Sequence, residues 1–348
     1  MRKIRSTLVA GCVLGVCLTS YSSEMKTMLS TEIPLSEQKG KGKSILAAPI
    51  SDTVTTLTNT MERSTKEFKT ERKEDVSEAL SVKELQSTFL EGGVTYTIYF
   101  PLDYDKEKER RYPVVYWLHG AGGSPTGANK FVDLIEPSIR DKKTPPMIVV
   151  GVDGMKNSMY CDSADGSKPV ESIIIKELIP HIDATYRTIS TCRGRAIEGT
   201  SMGAFGAMHL GFKYPEIFGS VTAVSGGVRD KERQMKAGNL VDVIFNGDRE
   251  KFEANAPDVL LVKNIDRIRG KMFLRLVVGD KDGFLKWNQE FHTTLNDLEV
   301  EHELIVLPDV KHGAGKVYPN IRKETAEYYK MVFGEFASPV IVPSDVRE

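Results

Sequence analysis

The strongest constraint in this 348-residue chain is the pentapeptide Gly199-Thr200-Ser201-Met202-Gly203, which follows an apolar strand pattern and opens a helix pattern. The string alone is weak evidence, because a chain with 29 glycines matches it by chance at an appreciable rate. Between a strand and a helix, however, it predicts a tight elbow that strains the backbone of Ser201 and tolerates only small flanking residues. We therefore expect the Ser201 hydroxyl to be an exposed nucleophile, with a structural turn carrying an incidental serine as the alternative.

Short apolar runs alternate with helical patterns from about residue 82 onward. The runs typical of strands are 94–100, 113–118, 147–152, 195–198, 220–224, 272–278 and 302–307, and helical patterns cover 171–186, 202–213, 285–298 and 321–336. This alternation predicts an α/β domain over 81–338, with a mostly parallel central sheet and helices on both faces. The strand pattern before Pro113 predicts an antiparallel edge.

A glycine-rich turn, His119-Gly120-Ala121-Gly122-Gly123, follows the strand pattern that ends at Leu118. Such a turn leaves backbone N–H groups unpaired, and acyl transfer needs two of them aimed at the oxyanion of the tetrahedral intermediate. We assign these donors to the N–H groups of Ala121 and Met202. His119 lies in the turn itself, so we interpret it as an orienting or packing residue and only secondarily as a substrate contact.

The general base is expected to be His312, one of six histidines. It lies in a loop after a strand pattern and before the last helix pattern, where the order serine, acid, histidine places the base. The other histidines fall in helix patterns, at the start of a strand or in the glycine-rich turn.

Two aspartates compete for the role of the acid, because both follow the strand pattern that ends near residue 278. We favour Asp282, since it lies further from the strand end, where the loop can turn towards His312. Asp280 remains the alternative. The acid has to accept a hydrogen bond from the imidazole and thereby fix its tautomer.

These motifs resemble the esterase D-like branch of the α/β-hydrolase superfamily, which includes feruloyl and acetylxylan esterases. The resemblance covers residues 84–336 and also rests on 112–120, 177–180, 212–218 and 225–227. It implies a serine esterase that hydrolyses carboxylic esters through an acyl-enzyme, with the triad Ser201, Asp282 and His312 and without a metal or other cofactor. Feruloyl or acetyl groups on polysaccharides or oligosaccharides are the implied substrates.

Four residues in loops near the expected cleft are candidates for an acyl pocket: Met155, Tyr160, Phe284 and Trp287. Each is equally compatible with an ordinary surface or core position. Three other functions use the same scaffold: an acyltransferase, in which a sugar hydroxyl replaces water, a carbohydrate-binding protein without turnover, and a cytoplasmic thioesterase. The sequence patterns do not predict an oligomeric state.

The first 80 residues differ from the rest of the chain. Residues 1–22 have the basic start, short apolar stretch and polar exit of a secretory signal, and Cys12 is also compatible with a lipoprotein leader. Residues 23–80 are rich in Ser, Thr, Lys and Glu and predict a disordered leader or tether, with a local helix around 65–85. We therefore expect a secreted or cell-envelope protein, with a lipid anchor at Cys12 as the alternative and the one route to a membrane, and a C-terminal tail at 339–348.

Composition excludes several classes of protein. A net charge of −1 gives no electrostatic reason to expect a nucleic acid or an acidic membrane as partner. The body of the chain has no apolar run long enough for a membrane-spanning bundle. Cys161 and Cys192 match no zinc pattern, so we interpret them as free thiols, with one disulfide as the alternative.

Overall fold

The structure is a computed structural model, and its described residues are 80–228 and 244–338. Their strands are β1 (Leu80–Gln86), β2 (Gly93–Tyr99), β3 (Val114–Leu118), β4 (Ile148–Val152), β5 (Arg195–Thr200), β6 (Ser220–Val224), β7 (Phe273–Gly279) and β8 (Glu303–Leu307). They form one sheet in the order β1-β2-β4-β3-β5-β6-β7-β8. The β1–β2 and β2–β4 pairs are antiparallel and all the others are parallel. The mostly parallel sheet with an antiparallel edge is thus confirmed.

The α-helices of the described residues are α1 (Asn129–Arg140), α2 (Val170–Ile173), α3 (Ile179–Thr185), α4 (Met202–Lys213), α5 (Arg249–Ala254), α6 (Pro257–Lys263), α7 (Ile265–Ile268), α8 (Leu285–Asp297), α9 (Ala314–Val317) and α10 (Arg322–Phe333). A π-helical segment (Ile174–Leu178) joins α2 to α3, and short 3₁₀ turns lie at Pro125–Ala128, Cys192–Gly194, Tyr318–Asn320 and Gly334–Phe336.

Helices cover both faces of the sheet, as expected, because strand side chains alternate between two apolar cores. Val114, Tyr116 and Leu118 of β3 belong to the core shared with α3, α4 and α8. Val115 and Trp117 of the same strand belong to the core shared with α1 and α10. Alternation at a period of two residues places consecutive side chains on opposite faces of a strand. Both cores are continuous from the antiparallel edge to the later strands.

A buried ion pair lies on the face of the sheet that packs against α1 and α10. It connects β5, which precedes Ser201, to β7, which precedes Asp280 and Asp282. Glu198 on β5 and Arg275 on β7 have no exposed surface, and their closest N–O distance is 3.3 Å. The hydroxyl groups of Tyr318 and Tyr329 donate to the Glu198 carboxylate at 2.8 and 2.7 Å. These partners compensate for the desolvation of the two charges and join β5 to the chain that follows β8.

Two expectations about secondary structure are corrected. Residues 80–85 are not helical, because β1 pairs with β2 over the full register from Leu80–Tyr99 to Gln86–Gly93 and its backbone groups are used there. The helix expected over 171–186 contains a π-helical segment before Pro180. Proline has no N–H to donate and its ring clashes with the carbonyl one turn earlier, so the hydrogen-bond pattern widens there.

The predictions for residues 1–79 and 339–348 lie outside the described residues. Across 80–228 and 244–338, none of the helices has the length and hydropathy needed to cross a bilayer. Cys161 is buried, Cys192 is partly exposed, and both are unpaired thiols.

Candidate active site

Ser201 lies in the turn between β5 and α4, in a backbone conformation that few residues adopt. Its φ is 59° and its ψ is −113°, and its N–H donates to the carbonyl of Val224 at 2.9 Å. A Cβ at Gly199 would lie 1.9 Å from the carbonyl oxygen of Gly203, and a Cβ at Gly203 would lie 2.2 Å from the carbonyl oxygen of Leu118. The flanking glycines are therefore required for the approach of the helix to the sheet, as the pattern predicts.

Three side chains from distant segments form one hydrogen-bonded chain at the carboxyl edge of the sheet. Nε2 of His312 lies 3.0 Å from Oγ of Ser201, and Nδ1 of His312 lies 3.1 and 3.0 Å from the two carboxylate oxygens of Asp282. A carboxylate only accepts hydrogen bonds, so Nδ1 carries the proton and Nε2 is left to accept the serine proton. This arrangement can deprotonate the hydroxyl as it attacks a carbonyl carbon.

Asp282 is held as a carboxylate by its surroundings. Its side chain has no exposed surface, whereas the His312 side chain is 43% exposed. Burial alone would raise the pKa of Asp282, but hydrogen bonds from His312, from the Phe284 N–H and from the Ser225 hydroxyl lower this pKa below its usual range. The Phe284 N–H bond is 2.9 Å long. The acid therefore stays ionised while the imidazole gains and loses a proton.

Asp280, the alternative acid, points to a different neighbour. Its carboxylate lies 3.7 Å from Nζ of Lys281, and its other oxygen is buried without a hydrogen-bond partner among the described residues. No hydrogen bond joins it to His312 in that part of the chain. Of the two aspartates, the geometry connects Asp282 to the imidazole.

The two N–H groups assigned to the oxyanion lie on either side of the serine. Gly120 approaches the elbow so closely that a Cβ there would lie 3.3 Å from Cβ of Ser201, and this brings the Ala121 turn beside the hydroxyl. Met202 is the first residue of α4, where the N–H has no acceptor within the helix. Within 80–228 and 244–338, neither N–H donates to a backbone acceptor, so both can bind a developing oxyanion. In the described part of the chain, His, Cys, Asp and Glu side chains form no cluster of three or more that could bind a metal ion.

His119 and Tyr160 are buried side chains, which agrees with the packing interpretation of His119 and with the core alternative for Tyr160. His119 is 2% exposed and Tyr160 is fully buried. The hydroxyl of Tyr160 donates to the backbone carbonyl of His119 at 2.9 Å, and Nε2 of His119 accepts from the N–H of Gly154 at 3.0 Å. The two side chains therefore act through their contacts with the surrounding backbone and not through an exposed surface.

The other pocket candidates remain at least partly exposed. The Phe284 ring is stacked on the His312 imidazole with a centroid distance of 5.3 Å and an interplanar angle of 20°. Trp287 packs edge-on against Phe284 at 5.8 Å. Met155 has a φ of 51° and packs against the first core. Phe284 and Trp287 thus place an aromatic surface next to the triad.

Ser225 is a site residue that the sequence patterns did not reveal. It is fully buried at the end of β6, has a φ of 49°, and bonds to Asp282 and to the N–H of Gly313, the latter at 3.2 Å. It therefore supports both the acid and the histidine loop. The Ser225-Gly226-Gly227 string belongs to the family resemblance, but the contact depends on two distant loops meeting.

The helix that begins at the elbow is anchored by a buried histidine. His209 of α4 has no exposed surface, and its two ring nitrogens lie 2.8 Å from the Glu171 carboxylate and 2.9 Å from the carbonyl oxygen of Asn255. Both partners are acceptors, so the ring fits best as an imidazolium. Burial opposes this charge, but the adjacent Cys161 and the Glu171 carboxylate raise the pKa of His209 to about 10.

We expect Glu171→Gln to destabilise the fold by about 3 kcal/mol at neutral pH, because it leaves a buried cation without its partner. A raised folded-state pKa stabilises the fold most below the unfolded value of 6.5, and this stabilisation is lost as the pH rises through about 10. The difference between wild type and variant should therefore shrink at alkaline pH. Urea unfolding between pH 7 and 10 measures it, and a difference independent of pH would contradict the ionised pair.

Known proteins resemble this chain in sequence and in fold. The family model named Esterase matches residues 87–318, two thirds of the chain. An endo-1,4-beta-xylanase/feruloyl esterase of Xylanibacter ruminicola is 33% identical over 165 residues, covering 45% of this chain and 23% of that protein. An esterase of Mycobacterium tuberculosis is 29% identical over 241 residues, covering 61% of this chain and 51% of that protein. The chain thus spans about half or less of these relatives.

Solved structures with the same fold include enzymes of the α/β-hydrolase type. A ferulic acid esterase superposes with a TM-score of 0.62 at 22% identity, covering 72% of this chain and 98% of that one. An S-formylglutathione hydrolase of Staphylococcus aureus superposes with a TM-score of 0.58 at 15% identity, covering 73% and 98%. At these identities the likeness shows the fold, which is that of the α/β-hydrolases.

Proposed function

This chain belongs to the esterase family, and from that premise we propose that it is a serine esterase that hydrolyses carboxylic esters through an acyl-enzyme. The observation that carries the proposal is the continuous chain from Oγ of Ser201 through His312 to Asp282, in which every link is 3.0 or 3.1 Å long. The strained elbow supports it, because backbone strain of this kind costs about 1–3 kcal/mol and persists where function needs it.

The first half of the cycle forms the acyl-enzyme. Nε2 of His312 takes the Ser201 proton while Oγ attacks the ester carbonyl carbon, and the carbonyl oxygen becomes an oxyanion. The N–H groups of Ala121 and Met202 donate to that oxyanion. The imidazolium then gives its proton to the leaving alkoxide as the carbon–oxygen bond breaks, and the alcohol departs.

The second half repeats this sequence with water. His312 takes a proton from water, the hydroxide attacks the acyl carbon, and the same two N–H groups stabilise the second oxyanion. Collapse of this intermediate breaks the bond to Oγ, and the imidazolium returns the proton to Ser201. Throughout, Asp282 fixes the ring orientation and stabilises the imidazolium without accepting its proton.

The substrates we propose are feruloyl or acetyl groups on polysaccharides or oligosaccharides. The relative of X. ruminicola, described as a xylanase and feruloyl esterase, supports this class. The partly exposed ring of Phe284 lies against His312 with Trp287 behind it, so an aromatic acyl group would find a flat apolar wall beside the scissile bond. We therefore expect feruloyl esters to be better substrates than acetyl esters.

A fluorophosphonate reagent tests the proposed mechanism directly. We expect one equivalent to bind Ser201, as shown by peptide mass spectrometry, and prior denaturation to prevent it. In parallel, turnover is measured for acetyl, feruloyl and longer acyl esters with sugar and simple alcohol leaving groups. A protein that neither reacts with the reagent nor hydrolyses any member of this panel would contradict the proposal.

Trp287→Ala should lower the ratio of kcat/KM for methyl ferulate to that for methyl acetate by about tenfold, the effect of losing one aromatic contact. The matched control is Phe89→Ala, which removes a 39%-exposed aromatic residue in the turn between β1 and β2. The control should leave the ratio at its wild-type value. An unchanged ratio in Trp287→Ala would argue against an aromatic acyl site at this wall.

A further inference from the structure

We infer that Tyr160 and His119 are positioning residues that hold the two oxyanion donors in register, an inference that rests on the proposed esterase function. The donors are carried by separate parts of the chain: Ala121 by the turn after β3, and Met202 by the first turn of α4. An oxyanion hole stabilises charge only when its donors are already aimed at the same point. The position of the turn relative to the helix must therefore be fixed, and the close approaches of Gly120 to Ser201 and of Gly203 to Leu118 are part of what fixes it.

The His119 side chain fixes the Ala121 turn from within. Its Nδ1 lies 2.8 Å from the carbonyl oxygen of Gly120, which can only accept, and its Nε2 lies 3.0 Å from the N–H of Gly154, which can only donate. The neutral ring protonated at Nδ1 satisfies both contacts at once. A Cβ at Gly123 would lie 3.0 Å from Cβ of His119, so the turn closes tightly over this residue.

Tyr160 connects that turn to the nucleophile helix. Its hydroxyl donates to the carbonyl oxygen of His119 at 2.9 Å. Its ring fills the space left by two glycines, since a Cβ at Gly154 or at Gly206 of α4 would lie 2.2 or 2.4 Å from it. One fully buried side chain thus touches both the turn that carries Ala121 and the helix that carries Met202.

The segment that delivers Tyr160 is held in an unfavourable backbone conformation. Met155, Asn157, Met159 and Tyr160 all have φ between 51° and 61°. Such conformations are uncommon for residues other than glycine and persist only where surrounding contacts determine them. The buried ring and hydroxyl of Tyr160 help to hold this conformation, together with the buried Ser158 hydroxyl, which donates to the Gly154 carbonyl and accepts from the Tyr160 N–H at 2.9 Å.

Tyr160→Phe tests the inference, because it keeps the ring and removes only the bond to His119. We expect kcat to fall by about tenfold and KM to change by less than about twofold, since the lost bond matters in the transition state. The Ki of a trifluoromethyl ketone, whose adduct with Ser201 carries an oxyanion, should rise by about the same factor as kcat falls. Rates are normalised to active sites titrated with fluorophosphonate.

The matched control is Tyr96→Phe, which removes another buried hydroxyl of the first core. This hydroxyl bonds to His181 and Tyr186 at 3.1 Å each. Among the described residues it makes no hydrogen bond to His119, Gly154 or Tyr160. This variant should keep the wild-type kcat and Ki per titrated site even if its melting temperature falls.

If Tyr160→Phe does not fold, His119→Asn serves instead, because it retains a donor for the Gly120 carbonyl and removes the acceptor for the Gly154 N–H. It should show the same joint change in kcat and Ki.

Tyr160→Phe with a kcat and Ki within about twofold of wild type would overturn the inference while leaving the esterase proposal intact. So would equal losses in Tyr160→Phe and Tyr96→Phe, which would indicate a general effect of removing a buried hydroxyl. A wild-type protein inert to both the esters and the fluorophosphonate would instead contradict the proposed function, and the inference with it.

Discussion

Ser201→Ala should fold normally and hydrolyse p-nitrophenyl acetate at least about 10⁴-fold more slowly than wild type, because removal of a triad serine leaves only the oxyanion donors and substrate binding. His312 would still be held by Asp282, but no hydroxyl would lie 3.0 Å from its Nε2. Steady-state kinetics with a freshly purified variant measures the loss. Fluorophosphonate labelling should disappear together with the activity.

Two further variants separate the chemical role of Ser201 from its structural one. Ser167→Ala removes an exposed serine hydroxyl, in a turn around Asp165, and should keep full activity. Ser201→Gly should be as inactive as Ser201→Ala but more stable, because glycine adopts a φ of 59° and a ψ of −113° without the strain of a Cβ. Retained turnover in Ser201→Ala would show that another residue is the nucleophile.

Much of the fold can be predicted from the sequence because the sheet is buried on both faces. β3 and β4 are continuous apolar runs, and such runs separated by helical patterns indicate parallel strands. β1 was not predicted, since its alternation is weak and its identity depends on pairing with β2. α1 was also not expected, although Phe131, Leu134 and Ile135 have helical spacing, and Pro137 lies within it.

In the site, too, features that depend on local sequence can be predicted, whereas features that depend on contacts between distant segments cannot. Local rules were sufficient for the elbow, because Gly199 and Gly203 are required by contacts that any strand-to-helix turn of this kind makes. The choice between Asp280 and Asp282, the burial of Tyr160 and the part played by Ser225 all depend on loops that are distant in sequence. The exposure of a loop residue is decided by the chain that packs on it. For Tyr160 the packing partners lie in the turn after β3, in α4 and in the loop after β4.

Asp282→Asn should lower kcat by about 10⁴-fold with little change in fold, as expected when a triad acid is replaced by its amide. The amide oxygen can still accept the Phe284 N–H, but the amide N–H₂ would face Nδ1 of His312. The ring would then carry its proton on Nε2, which could no longer accept the proton of Ser201. Asp280→Asn is the matched control, since that side chain has no bond to His312 within the described residues, and it should stay within about fivefold of wild type.

The pH dependence gives a second readout of the same acid. The folded-state pKa of Asp282 is lowered. The stability that its ionised carboxylate contributes is therefore fully present above the ordinary carboxyl range, and it is lost only as the pH falls through the lowered value. Loss of kcat/KM on the acid side should therefore not be caused by protonation of Asp282. If Asp280→Asn abolishes turnover and Asp282→Asn spares it, the acid has been assigned to the wrong residue, and the loop after β7 must rearrange when substrate binds.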